Sequence, residues 1–116
     1  MPHFRAIHTV SLKPDVEHEQ FEDFMVREFL PVICALPGCV QVELLKGYKG
    51  GLSGVAQSEY DYAWTTLWES AEANNAVWSK DGVHHTPDAI MEINAKLHHY
   101  AANYSLVGGF TVEVSV

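Results

Sequence analysis

Residues 60–69, YDYAWTTLWE, constrain this chain more than any other stretch. In an extended strand successive side chains alternate between faces. Tyr60, Tyr62, Trp64 and Trp68 therefore share one side, and Ala63, Thr65 and Leu67 the other. Residues 39–46 (CVQVELLK) repeat the theme, with Val40, Val42 and Leu44 on one side and Cys39 and Leu45 on the other. Residues 3–12 place Phe4, Ala6, His8, Val10 and Leu12 together, and add Ile7 to an opposite face otherwise made of Arg5, Thr9 and Ser11. Strands apolar on both sides predict a sheet covered on both faces. An aromatic side chain buries roughly 150–250 Å², and several left wet exceed the patch a monomer normally exposes. Helices can cover one face. The economical cover for the other is a second copy about a two-fold axis, so a homodimer is expected.

The remaining elements follow from local signals. Lys13-Pro14-Asp15 turns the chain after the first strand, with Asp15 expected as a helix N-cap. Apolar residues at 21, 24, 25, 29, 32, 33 and 36 have helical spacing. Pro31 cannot donate to the carbonyl of Arg27, which predicts a kink near residues 29–31. The glycine-rich stretch GYKGGLSGVAQSEY reads as a long loop between strands two and three. Ser70 is placed to cap the helix AEANNAVWSK. Thr86-Pro87-Asp88 opens a helix over residues 87–103, with Ile90, Ile93, Leu97, Tyr100 and Tyr104 as its buried stripe. Gly108-Gly109 permits a bulge. FTVEVSV closes the chain as the last strand, with Phe110, Val112, Val114 and Val116 on one face. The order strand, helix, strand, strand, helix pair, strand predicts one α+β domain over residues 1–116, a ferredoxin-like βαββαβ unit with a four-stranded antiparallel sheet.

Charge narrows the partners. The 116 residues carry a formal net charge of −8, and the seven basic residues are scattered. They cannot neutralise a run of phosphates, which argues against nucleic acid and against an anionic membrane surface. No apolar run is long enough to span a membrane, and no targeting signal is visible, so the expected location is the cytoplasm. Cys34 and Cys39 are five apart, form no CxxC pair and are expected as reduced, buried thiols. The loop GYKGGLSG lacks GK[ST] and is no phosphate cradle.

Few residues are equipped for chemistry. His8 sits among apolar neighbours on a strand face, where desolvation favours the neutral imidazole, a form able to act as a general base near pH 7. His84-His85 falls in the connection between the later helices, at the rim of any pocket there. His98 flanks the buried stripe of the last helix. Trp64, Trp68, Trp78, Tyr100 and Tyr104 offer flat walls with polar tips, suited to a small apolar or aromatic ligand. No histidine pair has HxxxH or HxH spacing, so no metal site is expected. With no serine nucleophile motif, paired carboxylates or dinucleotide fingerprint, catalysis would rest on one base, apolar confinement and a reactive substrate. Cofactor-independent oxygenation of an electron-rich phenol fits that description, as does cyclisation of a polyketide-like chain. A non-catalytic binding or assembly module is the other bottom-up reading.

The segments VSLKPD, LPGCVQVELLKG and TLWESAEANNAVW resemble the dimeric α+β barrel superfamily, nearest its antibiotic-biosynthesis-monooxygenase-like and stress-responsive A/B barrel groups. The resemblance implies a dimeric α+β barrel with one pocket per subunit, between the sheet and its own helices. It places His8 where oxygenase or haem-degrading relatives carry a polar residue on strand one. Trp78 falls within one position of a pocket-facing helix residue, and His84 or His85 near the histidine that follows. It thereby raises haem binding or degradation as an alternative, although the haem-ligand spacing is not reproduced. Residues 83–104 are longer than the usual second helix of the group.

Overall fold

The computed structural model describes residues 2–115. Val116, assigned above to the face of the last strand, lies outside them. In chain order the elements are β1 (Phe4–Leu12), α1 (His18–Phe24), a π-helical segment (Met25–Phe29), α2 (Leu30–Cys34), β2 (Cys39–Lys46), β3 (Tyr62–Trp68), α3 (Ala71–Trp78), α4 (Pro87–Leu97) and β4 (Ala101–Thr111). The sheet order is β2-β3-β1-β4 with every neighbouring pair antiparallel. This is the ferredoxin-like split βαβ arrangement.

The first helical arm shows how a proline is absorbed. Gln20 accepts from the backbone N–H of Glu17 through its side-chain oxygen at 3.0 Å, so Glu17, rather than Asp15, caps α1. Just before Pro31 the helix widens, and the N–H of Leu30 reaches the carbonyl of Met25. A π-turn of this kind takes up the missing donor that the sequence predicted as a kink.

The helices lie over the face bearing Val10, Tyr62, Trp64 and Trp68, and bury it with Phe21, Phe24, Met25, Phe29, Val77, Ile93 and Leu97. The expectation that the β3 aromatics were at risk of lying wet is corrected here: Trp64 and Trp68 are sealed by the chain's own helices. At the far end of this layer Tyr62 donates to the Glu22 carboxylate and meets the His18 imidazole at 3.1 Å, pinning α1 to β3. The opposite face is mixed. Arg5 pairs with Glu43 at 3.4 Å and the Thr65 hydroxyl donates to Glu43 at 3.1 Å, beside Ile7, Ala63 and Leu45.

Three further expectations are revised. A register shift between Cys39 and Gln41 puts Cys39 opposite Trp68, so Cys39 shares the helix-covered face and Val40 sits at the irregularity. Cys34 is exposed rather than buried. The largest revision is at the C-terminus, where α4 ends at Leu97 and β4 starts at Ala101. Ile93, Leu97, Tyr100 and Tyr104 keep helical spacing in sequence, but Tyr104 belongs to β4, opposite Val10. Pairing along the free edge of β1 outweighs the local period, because the open N–H and C=O groups of that edge gain partners. The bulge expected from Gly108-Gly109 is present, as the register slips between Ile7 and His8 across from Gly108 and Leu106. Gly109 is needed for another reason: a Cβ there would stand 2.1 Å from the Phe4 ring.

Candidate functional site

A cavity of about 340 Å³ lies between the sheet and the helices. Its floor is the sheet, where β1 supplies Phe4, Ala6 and His8, β3 supplies Trp64 and Thr66, and β4 supplies Tyr104 and Leu106. Its roof is helical: Phe29 and Ile33 from the first arm, Asn74 and Trp78 from α3, and Asn94 from α4.

His8 is the chemical centre. Strand alternation turns it toward the helices, and its partner across the ladder is Trp64. The two rings stack with centroids 4.8 Å apart and planes within 3°. Burial pushes the imidazole pKa down to about 4, so the ring is neutral across the physiological range. Its Nδ1 is buried without a hydrogen-bond partner among the described residues of the protein. Trp64 is held from its other sides by the edge of Phe29 at 5.6 Å and by Tyr104 at 6.2 Å.

The remaining polar groups of the site are small. Thr66 accepts the indole N–H of Trp68 at 2.8 Å. One end of the Asn74 carboxamide lies 3.2 Å from the Trp78 indole nitrogen and 3.1 Å from that of Trp68; an indole N–H only donates, so the amide oxygen is assigned to that end, sharing the Trp68 N–H with Thr66. Asn94 completes the set from α4.

Of the residues singled out in the sequence, the structure brings His8, Trp64, Trp78 and Tyr104 together on this lining. The others stand elsewhere. Trp68 is fully buried behind the wall, in edge contact with Trp78 at 6.2 Å. Tyr100 stacks on Phe24 at 4.7 Å. His98 packs against Tyr104 at 5.1 Å from outside, as a buttress at the rim. His84 and His85 close the end of α3: the backbone N–H of His84 donates to the Ala76 carbonyl at 3.0 Å, and Nδ1–H of His85 to the Val77 carbonyl at 2.9 Å. Sequence reasoning passed over Phe29, Thr66, Asn74 and Asn94. The usable signal for Asn74 was a poor helix former in the interior of a helix, four residues before a tryptophan.

Haem needs an axial ligand, and the pair that the resemblance offered, His84 and His85, is off the lining, with His85 Nδ1 already engaged. His8 is stacked flush on Trp64. The residues present do not fit that group. Among the described residues, no three His, Cys, Asp or Glu side chains are grouped to hold a metal ion.

Neither a protein-family profile nor a curated protein matches the sequence. Solved structures do. The chain is similar to a point mutant of SnoaB, a cofactor-independent oxygenase from Streptomyces nogalater, with TM-score 0.69 and 14% identity over 100% of this chain and 98% of that one. It is similar to a dabb family protein with a ferredoxin-like fold from Mesorhizobium loti, with TM-score 0.65 and 12% identity over 99% and 100%. It is also similar to a dimeric ferredoxin-like protein of unknown function from Thermobifida fusca, with TM-score 0.59 and 17% identity over 96% and 92%. These likenesses establish that the chain has the ferredoxin-like α+β fold.

Proposed function

We propose that the chain binds a flat, oxygen-bearing aromatic or polyketide-like molecule in this cavity and acts on it with no resident cofactor, as a monooxygenase or cyclase. The observation that carries the reading is a single neutral imidazole set among aromatic walls in a space of about 340 Å³. An imidazole with a pKa near 4 is a weak base, so the substrate must carry an acidic O–H or C–H. The anion formed beside the imidazolium then favours the charged ring, since opposite charges stabilise each other strongly where water is excluded. An electron-rich anion of this kind is reactive towards dioxygen or towards a carbonyl of its own chain. The likeness to a cofactor-independent oxygenase supports this reading. Titration with hydroxylated naphthalenes and anthracenes is expected to quench tryptophan fluorescence saturably, because Trp64 and Trp78 wall the cavity. Absence of saturable quenching across that series would overturn the proposal.

The functional unit of this reading is a homodimer in the cytoplasm, where two free thiols are at home. Of the eleven residues of β4 only Ala101 is buried, and Leu106, Val107 and Phe110 are each more than half exposed. A second copy laid along this strand and on the face carrying Ile7, Leu45 and Phe110 would cover the apolar surface of that face. Sedimentation at micromolar concentration is expected to give twice 12.9 kDa; a mass staying at 12.9 kDa would refute the dimer. Among the described residues no helix is long and apolar enough to cross a membrane.

A further inference from the structure

A base that takes a proton becomes a cation, and a buried cation needs something beside it. In this cavity the protein supplies no counter-ion. Among the described residues the lining holds no carboxylate, and the Tyr104 phenol is its only titratable group besides His8. Burial depresses the basicity of His8, with no neighbouring charge acting on it. What the imidazole does meet is the face of Trp64, with ring centroids 4.8 Å apart and planes within 3°. Trp64 is itself buried, with 2% of its surface exposed. The face of an aromatic ring is the negative part of its quadrupole, and indole attracts a cation within about 6 Å more strongly than phenol or benzene does. A neutral imidazole gains little from that field. An imidazolium gains much, and more where water is excluded.

From this geometry we infer that Trp64 is a positioning residue for His8: its face holds the plane of the imidazole and carries the charge that forms when that ring accepts a proton. The inference rests on the reading of His8 as the base, and assigns the group that makes a buried imidazole basic enough to serve. In the step, the substrate's O–H or C–H bond breaks, its electron pair stays on that oxygen or carbon, and the proton goes to a ring nitrogen of His8. The lone pair of an imidazole nitrogen lies in the ring plane. The proton therefore arrives parallel to the indole, and the charge spreads over the indole face. The contact is stronger after transfer than before it, which is the condition for an interaction to speed a reaction rather than only tighten binding. Phe29 and Tyr104 brace Trp64 from its other sides, at 5.6 and 6.2 Å, and keep the stack flush.

The test withdraws electron density from one indole with little change in its outline. Tetrafluorotryptophan is placed at position 64 by codon suppression, and separately at position 78, since Trp78 lines the same cavity but packs on Trp68. The His8 ring-carbon shift is followed by NMR in the ligand-free protein from pH 7 down to about 4.5, where a group of pKa about 4 begins to take up its proton. Fluorination at position 64 is expected to lower that pKa by about one unit, a tenfold loss of proton affinity. The label at position 78 should leave it in place. With the label at 64, kcat/KM for an acidic aromatic substrate should also fall about threefold or more, as the base weakens. An unmoved His8 titration, or an equal shift from position 78, would overturn the inference. A titration that shifts with the label at 64, in a protein that turns over no acidic aromatic, would support the stack and remove the proposed reaction, so the two failures are told apart.

Discussion

Replacing Trp68 by alanine should lower the unfolding free energy by about 3–5 kcal/mol, the range for removing a fully buried aromatic. The side chain is completely enclosed, its ring meets Trp78 edge-on, and its N–H serves Thr66 at 2.8 Å. Truncation opens a void under β3 and strips Asn74 and Thr66 of a donor. Against a total of about 5–15 kcal/mol for a domain, that is a large fraction. Urea unfolding at one fixed protein concentration measures it, the concentration being held because association adds to apparent stability. Trp68→Phe should cost less, since most of the volume is kept. A loss below about 1 kcal/mol for the alanine variant would mean that Trp68 is not the keystone of this layer.

Removing the imidazole should be as severe for activity as removing the indole is for stability. His8→Ala is expected to lower turnover of an acidic aromatic substrate by about 10²–10⁴-fold, the usual contribution of a positioned base. In the unaltered protein the acid limb of kcat/KM should fall near pH 4, well below the ordinary histidine value of 6.5, because burial has moved the free-enzyme pKa to about 4. The same shift governs stability. Between pH 6.5 and 4 the unfolded chain binds the proton and the folded one does not, so stability is full above pH 6.5 and declines as pH drops through that window. The decline attributable to His8 is at most about 3 kcal/mol, and His8→Ala should abolish it. Turnover that survives the substitution, or an acid limb at 6.5, would remove His8 from the mechanism.

Much of the fold was legible because its signals are local or two-periodic. The alternation in residues 60–69 places Trp64 and His8 on facing positions of one sheet side, and Pro31 announces an interruption whatever surrounds it. The boundary of β4 was not legible. Ile93, Leu97, Tyr100 and Tyr104 satisfy a helical period as well as the real structure does, and only the open edge of β1 breaks the tie. The site divides in the same way. His8, Trp64 and Trp78 could be singled out from the sequence. Asn74 stands four residues before Trp78, a spacing the sequence shows, but its second indole, Trp68, comes from β3, and no spacing encodes that meeting. The pair His84-His85 shows the converse, since adjacent histidines attract notice in a sequence but here tie off the end of α3.

The π-turn at Met25–Phe29 has a consequence for the shape of the binding space. A turn closed one residue later than usual shifts the phase of everything after it by one position, about 100° around the axis. That offset aims Phe29 and Ile33 into the chamber while Val32 stays off its lining. Pro31 lies on the outside of the arm and touches none of the chamber, yet its missing hydrogen bond decides which side chains form the ceiling.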